Sequence, residues 1–343
     1  MKWGRVWIGT SGWVYKEWAG HFYPQGWPKK AEFTFYATQF PTVEINATFY
    51  RLPSLPMARR WHDQAPGDFV FAVKGSRFLT HIKRLKDTGA GLRKFFSRLK
   101  PLAERTGPIL WQLPPNFHKN EENLQRLDRF LGKLPNTFRH AIEFRHPSWM
   151  DGETMALLRT HHAANVWISS LKMPQDYTVT SDFVYLRFHG LKDGPYHDYT
   201  DAELAPWAKQ LAAATRSGRP AFVYFNNDLN TRAPLNAKSL MRQLGRRVVP
   251  AFMAPQVPLA AIAPENKRGR NRARLPASRS IAENGPVRGC SRRNVSPRIG
   301  RPQRWSPRAA GGVPPSEGRT ARQAPNVSPL RLRGRRPATA TTG

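Results

Sequence analysis

At 343 residues and 39.1 kDa the chain has room for one large domain or two ordinary ones, and its 40% hydrophobic and 11% aromatic residues can form a sizeable core. Its 55 Lys and Arg against 23 Asp and Glu give a net charge of +32. No run of about 18 apolar residues exists to span a membrane, the first five residues form no apolar signal segment, and one cysteine, Cys290, supports neither a disulfide framework nor a thiolate metal site nor, in residues 1–245, a cysteine nucleophile. Walker, GxGxxG, HExxH and GxSxG patterns are absent. A cytoplasmic protein is the expectation.

Through the first 245 residues, short β-branched or aromatic runs alternate with segments of helical spacing. The runs fall at 6–12, 43–50, 69–75, 109–113, 141–146, 166–170, 183–190 and 221–227. Between them, Leu92, Phe95, Phe96, Leu99 and Leu102 recur at three and four, as do Leu124, Leu127, Phe130, Leu131 and Leu134 behind Glu121 and Glu122. Segments 57–64, 153–160, 201–215 and 233–244 fill most other gaps, with Asp151 and either Thr200 or Asp201 as N-caps. The 171–181 link is too short for a full helix. Eight strand–helix units in this length predict an α/β fold, a TIM-type (β/α)8 barrel. The competing doubly wound sheet carries a Gly-rich phosphate turn after its first strand, and Thr10-Ser11-Gly12-Trp13 is not one.

The remaining residues differ in kind. From Arg246 to Gly343, 21 basic residues face 3 acidic ones, 14 residues are Pro, and only 15 of 98 are Leu, Ile, Val or Phe. So little apolar surface cannot offset the entropy of ordering the chain. Composition therefore divides the chain into a barrel, 1–246, and a disordered Arg/Pro-rich tail, 247–343. The tail reads as a translated non-native extension, a plain appendage or a nucleic-acid-binding arm, and it would bind polyanions non-specifically in any case.

Residues two apart on a strand share a face. Strand two then places Glu44 and Asn46 together, strand three ends in Lys74 and strand four carries Gln112. Strand five carries Glu143 and Arg145, then His146. Strand seven carries Arg187 and His189, and strand eight ends in Asn226 and Asn227. These polar groups would point into the C-terminal mouth, where barrel enzymes keep their chemistry. Each has a structural reading too: a Glu143–Arg145 ion pair, Glu44 paired with Lys74 or Arg187, a satisfied core histidine at His189, amides serving backbone groups. Their convergence at one end is what points to a task, because buried polar groups are costly.

By residue type, Glu44, Glu143 and His189 are the proton-transfer candidates. Glu143, beside Arg145, is the base, and Glu44 or His189 the acid. Asn46, Lys74, Gln112, Arg145, His146, Arg187, Asn226 and Asn227 are substrate-binding candidates, the cations suiting an anion. The three proton-transfer groups could instead hold a divalent metal, although no strand-end Asp or second His cluster accompanies them. No cofactor is expected. Dense aromatics near the first loop (Trp13, Tyr15, Trp18, Phe22, Tyr23, Trp27, then Phe49 and Tyr50) either pack that loop or form a stacking wall for a sugar or base.

These residues resemble the DUF72 (YecE-like) family. The resemblance rests on Gly9-Thr10-Ser11-Gly12-Trp13 with Tyr15 and Trp18, Val43-Glu44-Ile45-Asn46 with Thr48-Phe49-Tyr50, Phe71-Ala72-Val73-Lys74, His81, and Gln112-Leu113-Pro114-Pro115-Asn116-Phe117. It continues through Glu143-Phe144-Arg145-His146 with Ser148-Trp149, Tyr185-Leu186-Arg187-Phe188-His189-Gly190 and Tyr224-Phe225-Asn226-Asn227. It covers roughly residues 5–245, implies a TIM-type barrel and brings no established reaction.

Three functions compete. The first is an enzyme doing acid/base chemistry on a small anionic or polyhydroxylated substrate. A glycosidase is one case, its two carboxylates about 5–5.5 or 6.5–9.5 Å apart. The second is a nuclease or nucleic-acid binder, drawing on the body's net charge of +14 and the basic clusters at Arg59-Arg60, Lys83-Arg84 with Lys86, and Arg93-Lys94. The third is a non-catalytic ligand-binding barrel. The division of the chain is checked by truncation: a chain ending at residue 249 should melt as cooperatively as the whole, and limited proteolysis should enter the tail first.

Overall fold

The computed structural model describes residues 4–251. The expected tail lies almost wholly outside the described residues. Eight strands form one all-parallel sheet: β1 (Val6–Thr10), β2 (Thr42–Ile45), β3 (Val70–Lys74), β4 (Thr106–Gln112), β5 (Arg139–Glu143), β6 (Ala164–Ser170), β7 (Val184–Gly190) and β8 (Ala221–Phe225). Sequential neighbours pair from β2 through β8, and β8 pairs with β1. This is the (β/α)8 barrel, closed at the β1–β2 seam by means other than a regular ladder.

Helices α1 (Glu32–Gln39), α2 (Ala47–Tyr50), α3 (Leu55–Gln64), α4 (Gly89–Leu99), α5 (Glu121–Leu131), α6 (Gly152–Thr160), α7 (Asp201–Ala214) and α8 (Arg232–Leu244) fill the connections. Asp151 caps α6, accepting from the Thr154 amide at 2.8 Å, and Thr200 and Glu203 form a capping box on α7. One expectation needs correction, and the reading of the 171–181 link is borne out. The 43–50 run stops being a strand at Ile45, and Ala47–Tyr50 turns helical, with the Thr48 hydroxyl held 2.6 Å from the Lys74 carbonyl and 2.9 Å from that of Ile45. The β6–β7 connection contains no helix. It is pinned instead by Thr180, whose hydroxyl accepts from the Asn165 amide at 2.8 Å and donates to the Ala163 carbonyl at 2.7 Å.

Strand parity separates two cores. Outward residues such as Val43, Phe71, Ile109, Ile142, Leu186 and Val223 pack under the helices. Inward residues Ala72, Leu110, Ala141, Val166, Tyr185, Phe222 and Tyr224 fill the lumen as a separate buried cluster. The lumen is thus solid below, and polar groups gather only above it.

The seam depends on Tyr36 of α1. Its hydroxyl accepts from the Thr10 amide at 2.9 Å and donates to the Thr42 carbonyl at 3.0 Å, standing in for missing ladder bonds. Gly9 makes the close approach possible: a Cβ there would lie 2.1 Å from the Thr42 oxygen. Beyond α8, Val248 bridges Val6, and the Val249 amide donates to the Val6 carbonyl at 2.9 Å, so the packed body runs past residue 246. Tyr36→Phe should leave two buried backbone groups unpaired and cost about 1–3 kcal/mol, read as a lower urea midpoint with an unchanged slope.

Candidate active site at the barrel mouth

Arg187, on β7, reaches across the top of the lumen. It is fully buried, as are Glu44 and Glu143. One terminal nitrogen sits 2.7 Å from Glu44 Oε1 and the other 2.6 Å from Glu143 Oε2. Ser11 Oγ donates to Glu44 Oε1 at 2.7 Å and the Tyr185 hydroxyl to Oε2 at 2.6 Å. Gln112 Nε2 donates to Glu143 Oε1 at 2.8 Å, and Arg145 Nε and Nη2 each come within 2.7 Å of the same oxygen. All four carboxylate oxygens are therefore occupied.

The electrostatics follow. Burial alone would raise the Glu44 carboxyl, but Arg187 and then Lys74 hold it below the usual range. Burial opposes ionisation of Glu143 as well, and Arg187 with Arg145 hold it well below. Burial opposes the Arg187 charge, and the two carboxylates more than restore it. His189 is pushed down to about 4 by burial and Arg187, so its ring is neutral. Its Nδ1 faces Asn226 Nδ2 at 3.3 Å, and its Nε2 lies 3.1 Å from a terminal nitrogen of Arg187 and 3.6 Å from Glu143 Oε1.

Lys74 behaves differently. It is 9% exposed, its Nζ lies 4.4 Å over the Phe49 ring, and among the described residues it has neither a carboxylate in ion-pair contact nor a hydrogen bond to its amine. Burial and Arg187 push it down to about 8 against the opposing pull of Glu44 and Glu143. With Arg145 and Arg187 it makes three cations against two carboxylates. His81, in the turn after β3, is also lowered to about 4, by burial and then by Lys74 and Arg145.

Glu44, Lys74, Gln112, Glu143, Arg145, Arg187, His189 and Asn226 thus meet at one end. Two binding candidates do not join them. Asn227 turns away, its amide donating to the His197 carbonyl at 2.8 Å and to Asn236 at 2.7 Å, because it has the parity opposite to Asn226. His146 lies beyond the end of β5, where strand parity no longer applies. It caps a short turn through Ser148 and stacks on His118 at 3.9 Å. Asn46 borders the site, donating to the Ser11 carbonyl at 3.1 Å. Glu44 and Glu143, both held low by Arg187, each accept at least one hydrogen bond at both oxygens. Among the described residues no three His, Cys, Asp or Glu side chains gather as metal ligands.

Sequence reasoning passed over Asp228, one residue past Asn227. It is buried, burial holds its carboxyl well above the usual range, and its Oδ1 has no partner. The Tyr15 hydroxyl lies 2.9 Å from its Oδ2 and also contacts the Ser11 carbonyl. One phenolic proton cannot serve both acceptors, so geometry too favours a protonated Asp228. No strand-end pattern marks it, because its partner is 213 residues away. The aromatics of the first loop divide: Tyr15, Trp18, Phe22 and Tyr23 pack together and against α1, whereas the Trp13 ring meets Phe33 of α1 and Trp61 of α3.

Arg187→Met would strip two buried carboxylates of their counter-ion and should cost about 3–5 kcal/mol at neutral pH. The pH dependence should also invert. In the wild type the depressed carboxylates add stability above their unfolded range, near 4.3, which is lost as pH falls through their lower folded values. In the variant burial raises them, so stability should be greatest in acid and fall as pH rises past that range. Urea melts across pH check both signs.

Comparison with known proteins fits this architecture. The family described as "Protein of unknown function DUF72" matches residues 7–259. The Escherichia coli UPF0759 protein YecE is 37% identical over 114 residues, 33% of this chain and 41% of that relative, so the aligned part spans less than half of it. The Bacillus subtilis UPF0759 protein YunF is 25% identical over 70% of this chain and 94% of its own length. A crystal structure of a DUF72 family protein from Thermotoga maritima superposes with a TM-score of 0.65 at 29% identity, covering 70% of this chain and 99% of that one. One from Enterococcus faecalis gives 0.62 at 18% identity, over 70% and 95%, a likeness of fold alone. Matched by the family over 253 of its 343 residues, the chain belongs to DUF72.

Proposed function

We propose that the chain is an enzyme performing proton-transfer chemistry on a small anionic substrate at the barrel mouth. Lys74 and Arg145 bind the anion, and Lys74 in its neutral form takes the proton. The observation that carries this is the contrast between the mouth's charged groups. Both carboxylates are buried and hydrogen-bonded at each oxygen, whereas Lys74 is a nearly buried amine with no carboxylate in ion-pair contact among the described residues. A lysine desolvated in this way is suited to act as a base or nucleophile near neutral pH. Gln112 supports hydroxyl recognition, since only its amide nitrogen is engaged by Glu143.

Inorganic phosphate serves as the binding probe, compared between wild type and Lys74→Met so that the basic tail is common to both. Phosphate should raise the wild-type melting temperature at pH 7 and fail to do so in the variant. The wild-type effect should fade as pH rises through about 8, where the ammonium is lost. Equal phosphate response in both proteins would remove Lys74 from the site.

Stability should move the other way. A lysine whose folded pKa lies below its unfolded one destabilises the fold while charged, and stability rises with pH between the two values. Lys74→Met should therefore melt above wild type at pH 7 and lose that rise. Turnover is sought across a panel of sugar phosphates and small carboxylates with both proteins. Retained binding with no Lys74-dependent turnover would make the barrel a non-catalytic binder.

A further inference from the structure

A second concavity adjoins the mouth, between the β1–α1 loop, the exit of β2, the start of α1 and α3, with Asn46 on the border of both. Its volume is about 640 Å³, within the range of small-molecule sites. Trp13, Phe33 and Trp61 form an aromatic corner, Trp13 meeting Trp61 at 5.9 Å and 85° and Phe33 at 5.3 Å and 61°. Trp13 and Trp61 are only partly buried, and neither indole N–H has a partner among the described residues. Val14 and Met57 add exposed apolar surface, 65% and 46%. Lys29, Lys30 and Arg60 also line the cavity and are exposed, and none makes an ion pair among the described residues. The nearest acid by sequence, Glu32, is buried and feels the charge of Lys29 without making an ion pair with it, and it is not among the lining residues.

Each feature restricts the occupant. Open aromatic faces favour a flat apolar group. Three unpaired cations with no lining carboxylate favour an anion. The free indole N–H groups offer donors and no acceptor. A neutral sugar would leave the cations without a role, and an aromatic cation would be repelled by them.

We propose that this cleft, beside the barrel mouth, is a binding site for a small planar aromatic anion. The ring lies in the Trp13–Phe33–Trp61 corner, and the anionic group faces Lys29, Lys30 and Arg60. The site stands on its own lining residues, so it holds whether or not the mouth is catalytic.

Isothermal titration of the full chain at fixed physiological salt tests this with indole-3-acetate, 1-naphthaleneacetate and tryptamine. The first two pair a flat ring with a carboxylate. The third carries the indole ring with an ammonium. Both anions should bind one per chain, with tryptamine at least about tenfold weaker. Trp61→Ala should weaken the anions about tenfold. Because that variant touches the core, the all-surface Lys29→Glu/Lys30→Glu/Arg60→Glu variant is measured beside it and should abolish the preference for the anions over tryptamine. Equal binding of all three probes, no saturable binding, or anion binding kept unchanged in both cleft variants would each overturn the proposal.

Discussion

The upper half of the barrel is organised by one guanidinium. Arg187 rises from β7 and grips a carboxylate from β2 and another from β5, on opposite sides of the lumen. Through Ser11 and Asn226 it also touches the exits of β1 and β8. It is a cross-brace over the solid apolar lumen, and it helps to hold the β1–β2 seam, where regular ladder bonds are missing. Charges buried this deeply are an expensive way to fill a barrel, since an apolar cluster of equal volume is often at least as stable. What they provide beyond cohesion is a fixed polar floor. Each oxygen and each guanidinium N–H on it has its orientation set before anything enters from above.

That floor decides which groups are left for chemistry. The residue types suggested two glutamates as acid and base, but a carboxylate with both oxygens taken by arginine and buried hydroxyls is poor at exchanging protons. The arginine also fills the space between the carboxylates, where a glycosidic oxygen would have to sit for the two-carboxylate mechanism. Lys74 stands just outside the brace, close enough to feel Arg187 and too far from either carboxylate to pair with it. The same arrangement that satisfies the glutamates leaves the lysine destabilised, and so available.

Much of this was legible in the chain, and the failures have physical causes. Alternation along β2, β3, β4, β5 and β7 correctly brought Glu44, Lys74, Gln112, Glu143, Arg187 and His189 to one mouth, because a closed sheet with an apolar lumen leaves those side chains no other face. Alternation fails once the strand ends. His146 follows a short turn, and Ala47–Tyr50 becomes helix although its composition suits a strand. Asn227 was separable from Asn226 by the same parity rule. Residue type told less than position. Whether Glu44 is acid, base or brace depends on Ser11, Tyr185 and Arg187, groups 33 to 143 residues away. Tyr36 and Asp228 matter through single long-range partners and leave no periodic signal.

Protonation ties these pieces together. Near neutral pH the two glutamates, held low by Arg187, are ionised, His189 and His81, lowered to about 4, are neutral, and burial favours the protonated form of Asp228 against Tyr15. Lys74, at about 8, is the exception in this network, so the charge above the floor varies through one side chain while everything beneath stays fixed. A rigid site with one adjustable proton can hold an anion when that proton is present and accept a proton when it is absent. It follows that anion affinity and basicity at this mouth cannot both be greatest at the same pH. Any proton-transfer turnover here is therefore confined to a window around the Lys74 titration, where both forms of the amine are populated.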